Sequence, residues 1–494
     1  MKGSMGLYLA ALIFAILVGG WFRFAQLGER PMHADEATGA KILSERLESG
    51  DYSFDPTHFH GPSLTALASI WCSLAGEDSW EELTAKRLRM FTAICGMLAI
   101  GLIAFFGLFG MGKWSQVLAI SFGATSPFLV YYSRMFIHES LLLVCTAIAV
   151  FGWLLVSRGK HLVAGAVIGG MGLGVMAATR ETFIITSLAW FVALWWLTSN
   201  GRLPQFCRRS LLIGAGCSLG VIVLFYGRDL PALVQTYFTY EVTEGHEKAM
   251  SYYWDLLVWP HKELGRWWSE GLILLLAGGL FFSDQKKRNA QEVRLGIVFL
   301  GIGLFHLIVY SLIGYKTPWL MLVGWWHLCL AAGVGTVVLI QRSKPAMKPI
   351  WVILVMVALG WHGVQAQRAT FRFPNDGRNP YAYVPTQKDV VQLSGWLTEL
   401  KETTGMGAED LIAVLGEQIW PLPWYLRDHG AVGYWQDPPE EMATFPILII
   451  FPSVQGVILD LEATHVLIPR GIRDQVPIWV AVRNDVWERY QETE

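Results

Sequence analysis

The sequence predicts a polytopic α-helical membrane protein with a small α/β domain held outside the membrane at its C-terminal end. Three observations carry that reading. Of 494 residues, 53% are hydrophobic and 16% charged, where a soluble chain of this length holds about a quarter charged. The apolar residues come in runs of roughly 17–25, the length a helix needs to cross about 30 Å of hydrocarbon. Near Arg368 the runs give way to short, mixed segments.

The runs place spans near 5–24, 87–110, 114–130, 136–157, 162–178, 183–199, 210–226, 267–283, 294–314, 318–340 and 349–366, about eleven in all. The first lacks a small-residue cleavage site and reads as a retained helix. Trp21, Trp114, Tyr131, Tyr132, Trp267, Trp268 and Trp319 stand at span ends, where interfacial aromatics gather. Residues 25–86 form the first large loop. Within it Pro62–Ala75 is too short to span and reads as an amphipathic helix at the interface. Residues 368–385 read as a linker, and 386–494 as the α/β domain, with strands expected near 411–415, 447–451 and 479–482.

Alternate short loops carry Lys113, then Arg158 and Lys160, then Arg202, Arg208 and Arg209, then Lys286, Lys287, Arg288 and Arg294, then Arg342, Lys344 and Lys348. The positive-inside rule puts these in the cytoplasm. Every motif-like cluster, and the C-terminal domain, then falls on the extracytoplasmic face of the plasma (inner) membrane. The six cysteines lie within or beside apolar segments with no C-x-x-C pair, which argues against a zinc site or a disulfide-stapled ectodomain. No basic tract suggests nucleic acid. No paired broken helices in matching halves suggest an inverted-repeat transporter.

On the outer face stand the residues that can do chemistry. Asp35-Glu36 follows the first span. A carboxylate at the bilayer surface can take the proton of an attacking hydroxyl or amine, or it can be a solvated acid at headgroup level. His58 and His60 precede the interfacial helix. They can bind phosphate or shuttle protons, or sit at a polar turn that the Gly61-Pro62 pair explains alone. Arg134 with Glu139, and Arg180 with Glu181, lie in tight turns next to hydrocarbon, where ionisable groups must pair or face a polar cavity. Lys316, in Tyr315-Lys-Thr-Pro-Trp319, can snorkel or hold a lipid phosphate. Because Arg134, Arg180 and Lys316 share one face, the phosphate reading is preferred. In Trp420-Pro-Leu-Pro-Trp-Tyr-Leu-Arg427, Trp424 and Arg427 either dock the C-terminal domain or touch substrate.

An acidic pair after the first span, His60-Gly-Pro62, Tyr-Ser-Arg134 with Glu139, Tyr315-Lys-Thr-Pro-Trp319 and Trp420-Pro-Leu-Pro-Trp-Tyr-Leu-Arg427 together resemble the GT-C superfamily of membrane glycosyltransferases. Within it the chain looks like the protein O-mannosyltransferase and aminoarabinose-transferase branch, and most like the flippase-activity-associated proteins. The resemblance covers essentially the whole chain. It implies a donor sugar on a polyprenyl monophosphate and an extracytoplasmic acceptor, whether protein, lipid or glycan. It implies Asp35 as general base, with Glu36 positioning acceptor or base. It also implies Arg134, Arg180 and Lys316 as donor-phosphate ligands, and His58, His60, Glu139, Glu181, Tyr315, Trp424 and Arg427 as substrate contacts. One departure stands out: that branch carries Glu-Lys where this chain has His60-Gly61, so phosphate binding shifts to the other basic residues. The resemblance points to no particular cofactor. A divalent metal held by Asp35, Glu139 and the histidines is the less favoured alternative, as is a non-catalytic protein that handles or helps flip lipid-linked saccharides.

Overall fold

The computed structural model describes residues 2–50, 54–55, 60–159, 161–199, 208–239, 245–283, 290–474 and 476–492. Among these, seven helices are long and apolar enough to cross a membrane: Met5–Phe24, Ala85–Phe109, His138–Ser157, Arg208–Gln235, Gln291–Leu312, Pro318–Arg342 and Pro345–Arg372. Four shorter apolar helices, Ser63–Ser73, Leu162–Ala177, Phe183–Leu197 and Gly271–Phe282, accompany them. The chain is a multi-pass membrane protein.

In chain order the first helices are α1 (Lys2–Phe24), α2 (Ala34–Ser49), α3 (Ser63–Ser73), α4 (Ala85–Gly101), α5 (Lys113–Thr125) and α6 (Pro127–Ser133). Then come α7 (His138–Ser157), α8 (Leu162–Ala177), α9 (Phe183–Ser199), α10 (Arg208–Tyr226) and α11 (Leu230–Thr239). A hairpin of β1 (His261–Glu263) and β2 (Arg266–Trp268) precedes α12 (Gly271–Ala277), α13 (Ala290–Leu312), α14 (Leu322–Arg342) and α15 (Lys348–Gln367). Two expectations change. The span expected over 114–130 is two helices, because Ser126 caps α6 by accepting from the Leu129 N–H and Pro127 takes its first position. A proline there lacks the N–H that would continue α5. The span expected from 267 starts at Gly271, since 261–268 fold into the hairpin.

Glycines bring three helices close enough to fix the turn after α8. On α8, Gly165 and Gly169 face α7, where a Cβ on Gly152 would stand 2.2 Å from the Gly169 nitrogen. Gly170 and Gly174 face α10, and a Cβ on Gly170 would stand 2.3 Å from the Gly214 carbonyl oxygen. Two small-xxx-small rows on one helix let backbones touch on both sides, which is how helices associate where lipid removes the hydrophobic drive.

The C-terminal domain comprises α16 (Lys388–Thr404), β3 (Ile412–Leu415), α17 (Leu422–Leu426), β4 (Val432–Trp435), β5 (Ile447–Ile450), α18 (Ile458–Leu461), β6 (His465–Arg473), β7 (Val476–Arg483) and α19 (Asn484–Gln491). The sheet order is β4-β3-β5-β7-β6, with β3 parallel to both neighbours and β7 antiparallel to both of its own. The expected strands are β3, β5 and the centre of β7. β3 and β5 are buried on both faces and therefore read as unbroken apolar runs. The unexpected β4 and β6 are the two edges, interrupted by Gly433, Pro469 and Gly471, residues that suit edges and mask a strand in sequence.

The glycine contacts give a direct test. Gly170→Val should push α8 off α10 and lower stability by about 1–3 kcal/mol, the usual result of overpacking. Gly216→Ala, whose Cβ would meet nothing within 4 Å, should melt like the wild type in a detergent thermal-shift assay. Equal melting of both variants would show that the close approach is not needed.

Candidate active site

Asp35 and Glu36 lie in the first turn of α2, not in a loop, and the local sequence explains why. His33 is the N-cap: its Nδ1 accepts from the Asp35 N–H at 3.1 Å, and the Glu36 carboxylate accepts from the His33 N–H at 3.0 Å. This is a capping box with His as the cap. It turns the two acids in opposite directions. The Asp35 side chain is 52% exposed, whereas Glu36 is fully buried.

Glu36 accepts a fork from Arg89, Nε to Oε1 and Nη2 to Oε2, each 2.8 Å. It also accepts from Arg30 Nη2 at 3.1 Å and from the Phe136 N–H at 2.9 Å. Burial opposes its charge, but the Arg89 and Arg30 guanidiniums outweigh burial and hold the Glu36 carboxyl well below the usual carboxylate range. Arg89 also donates to the carbonyls of Leu27, Arg30 and Pro31. The ion pair therefore ties α2 to α4, to the chain leaving α1, and to the turn before α7.

Asp35 faces a cavity of about 290 Å³. Its polar wall holds His60, His138, Glu139, Arg180, His246 and Tyr315, and Trp319 and Phe136 close its apolar side. Arg180 is buried and ion-paired with Glu139 and, at 3.5 Å, with Glu181. Glu181 in turn meets His60 Nδ1 at 3.1 Å. Burial works against the Glu181 charge, but His60 and Arg180 overcome it and keep the carboxyl below its ordinary range. The His60-Gly-Pro element is set by close approach: the Ser63 N–H donates to the Ala178 carbonyl at 3.0 Å. A Cβ on Gly61 would stand 2.2 Å from that same oxygen. Only glycine lets α3 start against the end of α8, which places His60 beside Arg180 and Glu181.

Of the residues singled out in the sequence, Asp35, His60, Glu139, Arg180 and Tyr315 line this cavity, with Glu181 bonded to two of its wall residues. Glu36 does not line it. Neither does Arg134, which donates to the carbonyls of Phe22, Arg23, Ala25 and Gln26 where α1 ends, the favourable place for a cation. Lys316 is also elsewhere: its buried ammonium donates to the carbonyls of Lys248, Ile313 and Gly314. Trp424 packs edge-on to Trp80 at 5.3 Å, and the Arg427 guanidinium stacks 3.8 Å from the Trp424 ring centroid. These two dock the C-terminal domain on the first loop. His58 lies outside the described residues. Among the described residues no three His, Cys, Asp or Glu side chains converge as a metal site.

Three residues important here escaped the sequence reading. His33 is the cap, and His-x-x-Glu before a helix was the available signal. Tyr383 accepts at its carbonyl from His33 Nε2 at 3.1 Å, and its hydroxyl lies 2.7 Å from His246 Nδ1. Burial pushes the Tyr383 hydroxyl up to about 12, so it keeps its proton at neutral pH. No local pattern marks Tyr383 or His246, because their partners are distant in sequence.

Among solved structures the chain is similar to ArnT from Cupriavidus metallidurans in the apo state, at 14% identity and a TM-score of 0.64, over 98% of this chain and 99% of that one. ArnT bound to undecaprenyl phosphate matches with the same coverage, at 15% identity and a TM-score of 0.60. The oligosaccharyltransferase AglB from Archaeoglobus fulgidus, in complex with an inhibitory peptide and a dolichol-phosphate, matches over 94% of this chain and 74% of that one, at 12% identity and a TM-score of 0.58. The fold is that of the GT-C glycosyltransferases. No family model matches the chain, and no curated protein matches it in sequence. Within this GT-C fold the Asp35 cavity lies between the first loop, the α8–α9 turn and the start of α14.

Glu36→Gln should leave Arg89 and Arg30 without their counter-charge and destabilise the protein by about 3–5 kcal/mol, read as a lower melting temperature at neutral pH. The folded carboxyl is depressed, so its contribution is complete above the unfolded pKa of about 4.3. It is lost as pH falls towards the folded value, and the gap between variant and wild type should narrow in that direction. A constant gap down to the lowest pH at which the wild type folds would contradict this.

Proposed function

We propose that the protein is a glycosyltransferase that moves a sugar from a polyprenyl-monophosphate donor to an extracytoplasmic acceptor hydroxyl or amine. One observation carries the reading: a half-exposed carboxylate, Asp35, and a buried guanidinium, Arg180, face one cavity. An apolar groove lies next to the turn that carries Arg180. This groove of about 430 Å³ lies among α7, α8, α9 and α10, and its walls include Trp153, Met176, Thr186 and Trp190. Met176 and Thr186 bracket the Thr179–Thr182 turn that carries Arg180. A lipid chain in the groove would bring its phosphate to Arg180.

In this reading the acceptor oxygen or nitrogen attacks the anomeric carbon on the face opposite the phosphate. Asp35 takes the acceptor proton as the new glycosidic bond forms. The anomeric carbon–oxygen bond breaks with its electron pair on the lipid phosphate, and Arg180 stabilises the charge that develops there. The phosphate would displace Glu181 from Arg180, the looser of its two carboxylates, while Glu181 keeps His60. Glu139 holds the guanidinium in place. Glu36, Arg134 and Lys316 act on position: they set α2, the end of α1 and the 245–248 segment that carries His246. The ArnT complex with undecaprenyl phosphate and the AglB complex with dolichol-phosphate support a lipid-phosphate donor. The loops with excess Lys and Arg support an extracytoplasmic cavity and C-terminal domain.

Asp35→Asn should reduce sugar transfer from a polyprenyl-phosphate donor by about 10²-fold or more, with unchanged melting temperature. Arg180→Gln should cut kcat by a similar factor. The assay is radiolabelled sugar transfer in membranes or nanodiscs. Full transfer by Asp35→Asn would sink the enzyme reading and favour non-catalytic handling of lipid-linked saccharides.

A further inference from the structure

A second apolar groove, on the side of the molecule formed by α1 and α15, ends near arginines that have no counter-ion among the described residues. It measures about 760 Å³, and Phe14, Val18 and Phe22 of α1 face Met356, Leu359 and Gly363 of α15 across it. It is open at Gly360, where a Cβ would meet nothing within 4 Å. The groove shares no wall residue with the Asp35 cavity or with the groove beside Arg180.

At one end Phe22 stacks on Phe371, ring centroids 6.2 Å apart, and Trp21 packs against the same ring at 5.0 Å. Arg372 follows and is exposed. Its guanidinium lies 5.1 Å from the Phe373 ring centroid, with Arg368 5.8 Å from that centroid. Arg368 also donates to the Leu264 carbonyl at 3.2 Å, next to the exposed Arg266 of the hairpin. The Arg368 guanidinium thus shares the Phe373 ring with Arg372 and feels the charge of Arg266, where a helix long enough to span the membrane ends. Among the described residues none of the three forms an ion pair with a carboxylate, Glu263 included. Exposed Trp259 and Trp267 flank them, as aromatics do at headgroup depth. Like charges gathered at a membrane edge repel unless an anion sits among them.

We propose that this face binds one anionic phospholipid, its acyl chain in the α1–α15 groove and its phosphate at Arg266, Arg368 and Arg372. The occupant follows from charge complementarity. An apolar slot in the bilayer accepts any acyl chain, but unpaired guanidiniums at its mouth select a headgroup with net negative charge. Arginine forks match phosphate oxygens in pairs. The site is separate from catalysis and does not depend on the function proposed above.

The test uses the full-length protein purified in mild detergent, with phosphatidylglycerol or phosphatidylcholine added and retention read by native mass spectrometry. The wild type should retain phosphatidylglycerol roughly tenfold over phosphatidylcholine. Arg266→Gln with Arg372→Gln, two exposed positions, should bring that ratio close to one without changing the melting temperature. Gly360→Trp should lower retention of both lipids. Asp35→Asn should keep the wild-type preference. Equal retention by the wild type, or an unchanged ratio in the double variant, would overturn the proposal. So would displacement of the phospholipid by a polyprenyl phosphate, or a two-chain species that forms on this face and excludes lipid.

Discussion

The Glu36 carboxylate is ionised where no water reaches it, and most of the cavity's geometry depends on that one charge. Its two oxygens take five hydrogen bonds: two from Arg89, one from Arg30, and one each from the His33 and Phe136 backbones. These donors come from different parts of the chain, so the ion pair works as a joint between segments. A buried pair is a weak source of net stability, because desolvation offsets much of the attraction. Its value here is orientation. With Glu36 held inwards, its neighbour in the helical turn points to the cavity, and Asp35 reaches solvent without a partner strong enough to lock it.

The same logic sorts the basic residues. A guanidinium or ammonium beside hydrocarbon needs acceptors, and backbone carbonyls at helix ends are the most abundant ones. Arg134 and Lys316 take that solution, each filling its donors with carbonyls. Arg180 is held by carboxylates instead, Glu139 in the cavity wall and Glu181 beside it. Carboxylates can give way to a phosphate of the same charge. Carbonyls at the end of a helix cannot be exchanged without unravelling that end. This difference separates Arg180 from the other two, which the sequence reading groups with it.

Much of this was legible in the sequence. Apolar run length showed the membrane helices, and unbroken apolar strands showed the centre of the C-terminal sheet. The Asp35-Glu36 pair, the His60-Gly-Pro turn and the two Arg–Glu turns were recognisable as unusual. What could not be read was direction. Two adjacent acids look alike in sequence, and only the His33 cap decides which one faces the cavity. Arg134 and Arg180 both stand in short turns beside an acid, yet Arg134 turns to the end of α1, because that end lies against the α6–α7 turn in space. Edge strands β4 and β6 were hidden by glycine and proline. The α5–α6 break was hidden because Pro127 lies inside an otherwise continuous apolar run.

The C-terminal domain belongs to the site mechanically, although Trp424 and Arg427 only dock it. Tyr425 accepts the Met32 N–H at 2.7 Å, and Thr386 donates to the Met32 carbonyl at 2.6 Å. Tyr383, in the linker, accepts from His33 and contacts His246. Met32 and His33 immediately precede the helix that carries Asp35, and His246 lines the opposite wall. Both sides of the cavity are therefore held by residues 383–386 and 425, beyond the last span. Movement of the domain would reach Asp35 through two peptide groups and an imidazole, with no loop between them to absorb it. The domain and the cavity walls are therefore joined through one short segment, Met32–His33, and through His246.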